Sequence, residues 1–220
     1  MDFQKKGIFI AFEGPEGCGK STQVKLFTDF LKEKQIDYIL TREPGGTKVG
    51  EEIRKILLDP ENSMMEDMTE AYLYASSRSQ LVREVIRPAL TEGKIVITDR
   101  YVDSSIVYQG VGRELGIERV MKLNENGIEG LYPDLTFILL VEPETGLRRA
   151  ADASKKDGYA SGDRLEMEKL EFHKKIYLGF KELENHRENL AYINGVQKVS
   201  SVFEDIKNHF LENFGDKYVV

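Results

Sequence analysis

The sequence predicts an α/β fold: a three-layer α/β/α sandwich built on a five-stranded parallel sheet. Two observations carry this. Short runs of consecutive apolar residues alternate with longer amphipathic stretches, and such runs suit strands covered on both faces, as in a parallel sheet. Alternating strands and helices in turn require right-handed crossovers, which place helices on both sides of the sheet. The runs IFIAF (Ile8–Phe12), YIL (Tyr38–Leu40), IVIT (Ile95–Thr98), LTFILLV (Leu135–Val141) and LAYI (Leu190–Ile193) read as the strands. Between them EEIRKILL (Glu51–Leu58) puts Ile53, Ile56 and Leu57 on one helical face. Thr69–Thr91, Glu118–Asn126, Pro143–Ala153, Leu165–Asn185 and Val199–Phe214 also read as helices. In this architecture ligands bind beyond the carboxyl ends of the strands.

A chain of 220 residues suits a single domain, 1–220, with a sizeable core. Its 40% hydrophobic and 31% charged residues are those of a soluble globular protein. With no run of about 18 apolar residues, no membrane-spanning helix is expected. The apolar run after Lys5 and Lys6 is too short for a signal peptide and enters a glycine loop. A net charge of −7 argues against nucleic acid as a partner and leaves small anionic ligands open. Cys18 is the only cysteine, so no intramolecular disulfide can form and a cytoplasmic location is expected. There is no internal repeat.

The loop after the first strand, GPEGCGKS (14–21), has the spacing G-x-x-x-x-G-K-S. It follows a predicted strand and opens a predicted helix, the context of a P-loop NTPase. Glycines let the backbone N–H groups turn inward toward phosphate oxygens, and the helix adds its positive end. Gly14, Pro15, Glu16, Gly17, Cys18, Gly19, Lys20, Ser21 and Thr22 are therefore the candidate ATP-binding segment. Lys20 is expected on the β- and γ-phosphates and the Ser21 hydroxyl on Mg²⁺. Cys18 reads either as a reactive thiol near a helix N-terminus or, preferably, as a small packing side chain. IVITDRY ends a strand in Asp99, placed to hold a magnesium-bound water, with Arg100 next; a plain salt bridge is the competing reading of that pair. No N-K-x-D guanine reader is present.

FEGPEGCGKST (12–22), TREPGGT (41–47), LYASSR (73–78), DRYVDSSIVYQG (99–110), YPDLT (132–136) and DRLE (163–166) together resemble the thymidylate kinase family over nearly the whole chain. The resemblance implies an enzyme that phosphorylates dTMP with ATP and Mg²⁺, as a homodimer. It implies that Glu16 lies near the sugar 3′-hydroxyl and that Arg42, Arg54 and Arg100 surround the dTMP phosphate, which a guanidinium grips in bidentate fashion. Arg54 also reads as a solvated helix-face charge. Pro44, with Gly45 and Gly46, makes a tight turn near the acceptor. Tyr74 and Arg78, four apart on one helical face, take the roles of a ring stacked on thymine and an arginine on a base carbonyl. The competing reading is a core aromatic beside a surface arginine. Ser105, Tyr108 and Gln109 match residues implied to contact base and sugar. LLVEPE (139–144) has Leu140 where the family often has an aspartate; either Glu142 is the substitute or the position is structural.

Family members differ in where they keep a key arginine. Some carry it in the phosphate loop, where this chain has Gly17; others supply basic groups from a lid. The segment at about 150–164, rich in small, polar and charged residues, reads as a solvated surface loop or, with the DRLE ending and the missing loop arginine, as that mobile lid. Arg164 and Arg149 are then the candidates to neutralise charge on the transferring phosphoryl group, Arg164 preferred. Lys155 and Lys156 read as loop solvation. The acceptor is a phosphate monoester with a second pKa near 6, so no general base is needed and Asp99 organises magnesium water and Arg100. A kinase of another deoxynucleotide or nucleoside, and a nucleotide-dependent switch, are the alternative readings.

Overall fold

The computed structural model describes residues 3–156 and 164–218. Five strands pair in parallel in the order β2-β3-β1-β4-β5: β1 (Ile8–Glu13), β2 (Tyr38–Arg42), β3 (Ile95–Asp99), β4 (Leu135–Leu140) and β5 (Leu190–Asn194). Helices cover both faces, as the sequence predicts. The central strand shows the reason in its alternation. Phe9 and Ala11 point into one core, Ile8, Ile10 and Phe12 into the other. The second core is aromatic: Phe27 of α1 (Lys20–Glu33) meets Phe12 at 5.7 Å, Phe137 at 6.3 Å and Phe210 of α9 (Val199–Tyr218) at 5.1 Å. Truncating a fully buried phenylalanine such as Phe27 typically costs about 3–5 kcal/mol.

Three of the strands run past their apolar segments onto charged residues. Backbone pairing continues through Phe12↔Asp99, Glu13↔Ile138 and Arg42↔Asp99, so Glu13, Arg42 and Asp99 share the carboxyl edge of the sheet. The helices differ more from expectation. α2 (Lys48–Leu58) starts earlier than predicted because the Thr47 hydroxyl caps it, accepting from Gly50 N at 2.9 Å. Thr69–Thr91 is three consecutive segments: α3 (Asp67–Leu81), a π-helical turn at Val82–Ile86 and α4 (Arg87–Thr91). Pro88 has no N–H for the i−4 bond, and the wide turn absorbs the mismatch. An unpredicted helix follows β3, with α5 (Val102–Ser105) continuing as π-helical turns over Ile106–Gly112.

Downstream, α6 (Ile117–Ile128) and α7 (Pro143–Lys156) stand close to expectation. The predicted helix at Leu165–Asn185 begins only with α8 (Leu170–Glu182), followed by a short 3-10 turn. The preceding residues are held elsewhere, since Arg164 N donates to Leu58 O at 3.3 Å and Arg164 Nε to Leu57 O at 3.0 Å. The expected lid falls largely on 157–163, outside the described residues, as do the side chains of Lys155 and Lys156. No helix is long and apolar enough to cross a membrane among the described residues.

Candidate active site

The glycine loop joins β1 to α1. Gly14 and Gly17 have φ of 139° and 65°, values that glycine adopts without penalty. Space restricts them further. A Cβ on Gly17 would stand 1.9 Å from the carbonyl oxygen of Gly146, in the first turns of α7. No side chain fits there, so this chain cannot carry an arginine at that loop position. Lys20 curls back over the loop, donating to Gly14 O at 3.3 Å, with Cys18 Sγ 3.7 Å away. Cys18 is buried in the aromatic core beneath the loop, where it packs. Ser21 Oγ donates to Asp99 Oδ2 at 3.4 Å. A hydroxyl beside a carboxylate is a hard oxygen set that fits Mg²⁺, a cation that keeps several waters. Among the described residues no group of three or more His, Cys, Asp or Glu is placed to hold a metal ion, so the remaining ligands would come from water and phosphate.

From Lys20 and Ser21 a single cavity runs along the carboxyl edge of the sheet. It is lined by Glu16, Arg42, Pro44, Arg54, Tyr74, Asp99, Arg100, Ser105, Tyr108 and Gln109, which the sequence singled out. Glu43, Leu58, Ser104, Leu165 and Glu166 complete the wall, and these the sequence reading missed. Arg42 binds both oxygens of Glu51, at 3.1 and 3.0 Å. The Gly46 N–H and then Arg42 hold the Glu51 carboxyl below its usual range. Arg54 donates to Pro44 O at 2.9 Å, which fixes the turn between β2 and α2.

Arg100 is the most constrained of the cations. Its φ is 70°, in the left-handed region, at the turn out of β3. Nη1 donates to Gly14 O and to Ser104 Oγ, both at 3.0 Å, and Nη2 to Glu16 Oε1 at 2.9 Å. The guanidinium also lies 5.0 Å from the centre of the Tyr108 ring. These bonds leave Nε–H and one Nη2–H for a ligand. Burial pushes the Glu16 carboxyl up, but Arg100, Lys20 and the Tyr108 hydroxyl outweigh it and hold it below the usual range.

Glu13, fully buried behind this group, accepts from Tyr101 N at 2.7 Å, Ser104 N at 3.0 Å and Ser104 Oγ at 2.5 Å. It thereby caps the helix that carries Ser105, Tyr108 and Gln109. Burial raises its pKa to about 7 against the attraction of Arg100.

Two arginines are not where the sequence led us to expect them. Arg78 is 1% exposed and does not line the cavity. Its Nε donates to Glu43 Oε2 at 2.7 Å, Nη1 to Ser105 Oγ at 3.1 Å and Asn124 Oδ1 at 2.6 Å, and Nη2 to the Tyr101 carbonyl at 3.2 Å. It therefore braces Glu43 and Ser105, which do face the cavity. Arg164 is also buried, paired with Glu70 of α3, and does not line the cavity. A deeply buried carboxylate has drawn it in.

Arg149 stays beside the phosphate loop. Its Nη1 donates to Gly195 O at 2.8 Å, and Gly195 packs against the carbonyl of Cys18. Glu142 accepts from Tyr177 OH at 2.8 Å, and it and Leu140 together line a separate pocket with Tyr177 and Tyr192.

A family model described as thymidylate kinase matches residues 12–206. A thymidylate kinase of Clostridium novyi (strain NT) is 48% identical over 203 residues, covering 92% of this chain and 97% of that protein. One of Lactobacillus acidophilus is 47% identical over 203 residues, 91% of this chain and 92% of the other. One of Caldanaerobacter subterraneus subsp. tengcongensis is 49% identical over 198 residues, covering 90% and 91%.

Proposed function

Because the chain belongs to the thymidylate kinase family, we propose that its cavity seats dTMP facing the phosphate loop, and that Mg²⁺ assists the transfer from ATP. The enzyme is a dTMP kinase, making dTDP in nucleotide biosynthesis. One observation carries the assignment of the site. The loop lysine shares one cavity with Arg42, Arg54, Arg100 and the buried Tyr74 ring, and Arg100 sits against the phosphate loop itself. That is the layout for a triphosphate opposite a nucleoside phosphate.

In the reaction an oxygen of the dTMP phosphate bonds to the γ-phosphorus, the bond to the β–γ bridging oxygen breaks, and ADP leaves. The acceptor is largely dianionic at neutral pH and has no proton that must be removed. What the residues do is hold two mutually repelling anions in line and offset the charge between them. Lys20 exchanges Gly14 O for phosphate oxygens. Arg100 uses its unspent N–H groups on the acceptor phosphate, with Arg42 and Arg54 at the cavity rim. Tyr74 stacks on the base, and Glu16 takes the sugar hydroxyl. Ser21, with Asp99 through water, would hold Mg²⁺, which when bound offsets charge on the β- and γ-phosphates. Arg149 supports the donor side.

We read the protein as a cytoplasmic homodimer. The exposed Val49 and Ile56 of α2 and Tyr72 of α3, on helices flanking the sheet, support self-association, which the mass in solution tests directly. The test of function is ADP formation from ATP and Mg²⁺ with dTMP, dUMP, UMP, dCMP, dGMP and thymidine offered separately. Turnover should be fastest with dTMP and negligible without an acceptor. Faster turnover of thymidine than of dTMP would overturn the assignment.

A further inference from the structure

The geometry points to Glu70 as a positioning residue that sets base specificity by fixing which end of the Gln109 amide faces the acceptor cavity. The inference rests on the reading that this cavity receives a nucleoside monophosphate. Glu70 is fully buried on α3, one helical turn before Tyr74 and on the same face. Its two oxygens are divided. Oε1 accepts from Gln109 Nε2 at 2.8 Å and more distantly from Arg113 Nε at 3.4 Å. Oε2 takes Arg113 Nη2 at 3.3 Å and the Arg164 guanidinium.

A carboxylate facing two guanidinium groups accepts and does not donate, so only the NH₂ end of the Gln109 amide satisfies it. The amide oxygen is then turned the other way. Gln109 borders the same cavity as the Tyr74 ring. Among the described residues no donor reaches its Oε1, and that atom is not sealed into the core. The cavity is therefore offered an acceptor, and Glu70 is what makes it one.

An acceptor at a base edge separates pyrimidines by their N3 position. Thymine and uracil carry N3–H and satisfy it. Cytosine carries a lone pair there, leaving two acceptors opposed in a site stripped of water. Pockets built to hydrogen-bond one partner reject the analogue that cannot reciprocate far more strongly than pockets that read apolar bulk. This contact does not touch the 5-methyl group, so it excludes cytosine without separating dTMP from dUMP. Freed from Glu70, the amide can rotate to present its NH₂ end, and the preference weakens.

The test compares kcat/KM for dTMP and dCMP in the wild type and in Glu70→Gln, whose own amide bonds either end of Gln109. The dTMP:dCMP ratio should fall at least tenfold, chiefly through a raised KM for dTMP, with the KM for ATP changed less than twofold. Glu70→Asp, still an acceptor only, should keep the ratio within threefold of wild type. A purely structural role would depress both acceptors alike, so an unchanged ratio in Glu70→Gln overturns the proposal. Should that variant melt below the assay temperature, Glu70→Gln/Arg164→Gln removes the stranded guanidinium. The same ratio decides, because Arg164 lies away from the cavity. A wild-type enzyme that uses neither pyrimidine nucleotide would instead sink the functional reading, and this inference with it.

Discussion

Nη2 of Arg100 lies 2.9 Å from Oε1 of Glu16, and the Tyr108 hydroxyl donates to that same oxygen at 2.7 Å. One carboxylate oxygen thus locks together the phosphate loop, the turn after β3 and the helix of the acceptor wall. Lysine at position 100 has the charge but not the fork, and cannot meet Gly14 O, Ser104 Oγ and Glu16 while presenting two parallel donors. Arg100→Lys should lower kcat/KM for dTMP at least 100-fold with a smaller change in the KM for ATP, measured by steady-state kinetics. A loss under fivefold would remove Arg100 from acceptor binding.

The Tyr74 ring is 9% exposed and lines the cavity. Stacking a base on an aromatic ring is worth roughly 1–3 kcal/mol by alanine substitution. Tyr74→Ala should therefore raise the KM for dTMP at least fivefold, while Tyr74→Phe stays within threefold of wild type. An unchanged KM in the alanine variant would show that the ring only packs.

Arg149 and Arg164 should separate by readout. Arg164 supports a buried carboxylate, so Arg164→Ala should lower unfolding free energy by about 1.5–3 kcal/mol, the range for hydrogen bonds to charged groups, with Arg113 still on Glu70. Arg149 is half-buried beside the loop. Arg149→Ala should raise the KM for ATP and leave the urea midpoint nearly unchanged. The opposite pattern, with Arg164→Ala stable but at least 100-fold slower, would return Arg164 to the phosphoryl group.

Glu13 should leave a mark on stability against pH. Burial raises its pKa from an ordinary 4.5 to about 7, so between those values the folded protein holds a proton that the unfolded chain has released. Stability therefore falls as pH rises through that window. Glu43, raised to about 7 by burial against the pull of Arg78, acts in the same direction. Glu13→Gln can still accept from Tyr101 N and Ser104 N and can donate to Ser104 Oγ, so the fold survives. Its urea midpoint should decline less steeply than wild type from about pH 5 to pH 7. Parallel profiles would exclude Glu13 as a titrating group.

The strands were legible because both faces of each are covered, which turns burial into apolar runs. Asp99 was legible as the end of its strand, but the tips at Glu13 and Arg42 were not, since backbone pairing carries them beyond the point where burial stops dictating residue type. VDSSIVYQGVG (102–112) hid a helix. Its β-branched residues and glycines favour strand or turn, and tertiary burial of nearly the whole segment overrides that preference. Arg78 was placed at the site by the family resemblance, and Arg164 by the DRLE segment together with the lack of an arginine in the phosphate loop. The acids that captured them, Glu43 and Glu70, lie 35 and 94 residues away in sequence, and spacing along the chain says nothing of such partners. Glu70 itself was within reach of sequence reasoning, since Glu70, Tyr74 and Arg78 recur every fourth residue along one helical face.

The contact between Gly17 and Gly146 has an evolutionary reading. Main chain meets main chain there, so the alternative plan with a loop-borne arginine is not one substitution away. The whole first turn of α7 would have to retreat, taking Arg149 from its seat on Gly195. A side chain at position 17 is thus a question of backbone arrangement, and a lineage could gain one only by moving the helix before changing the residue.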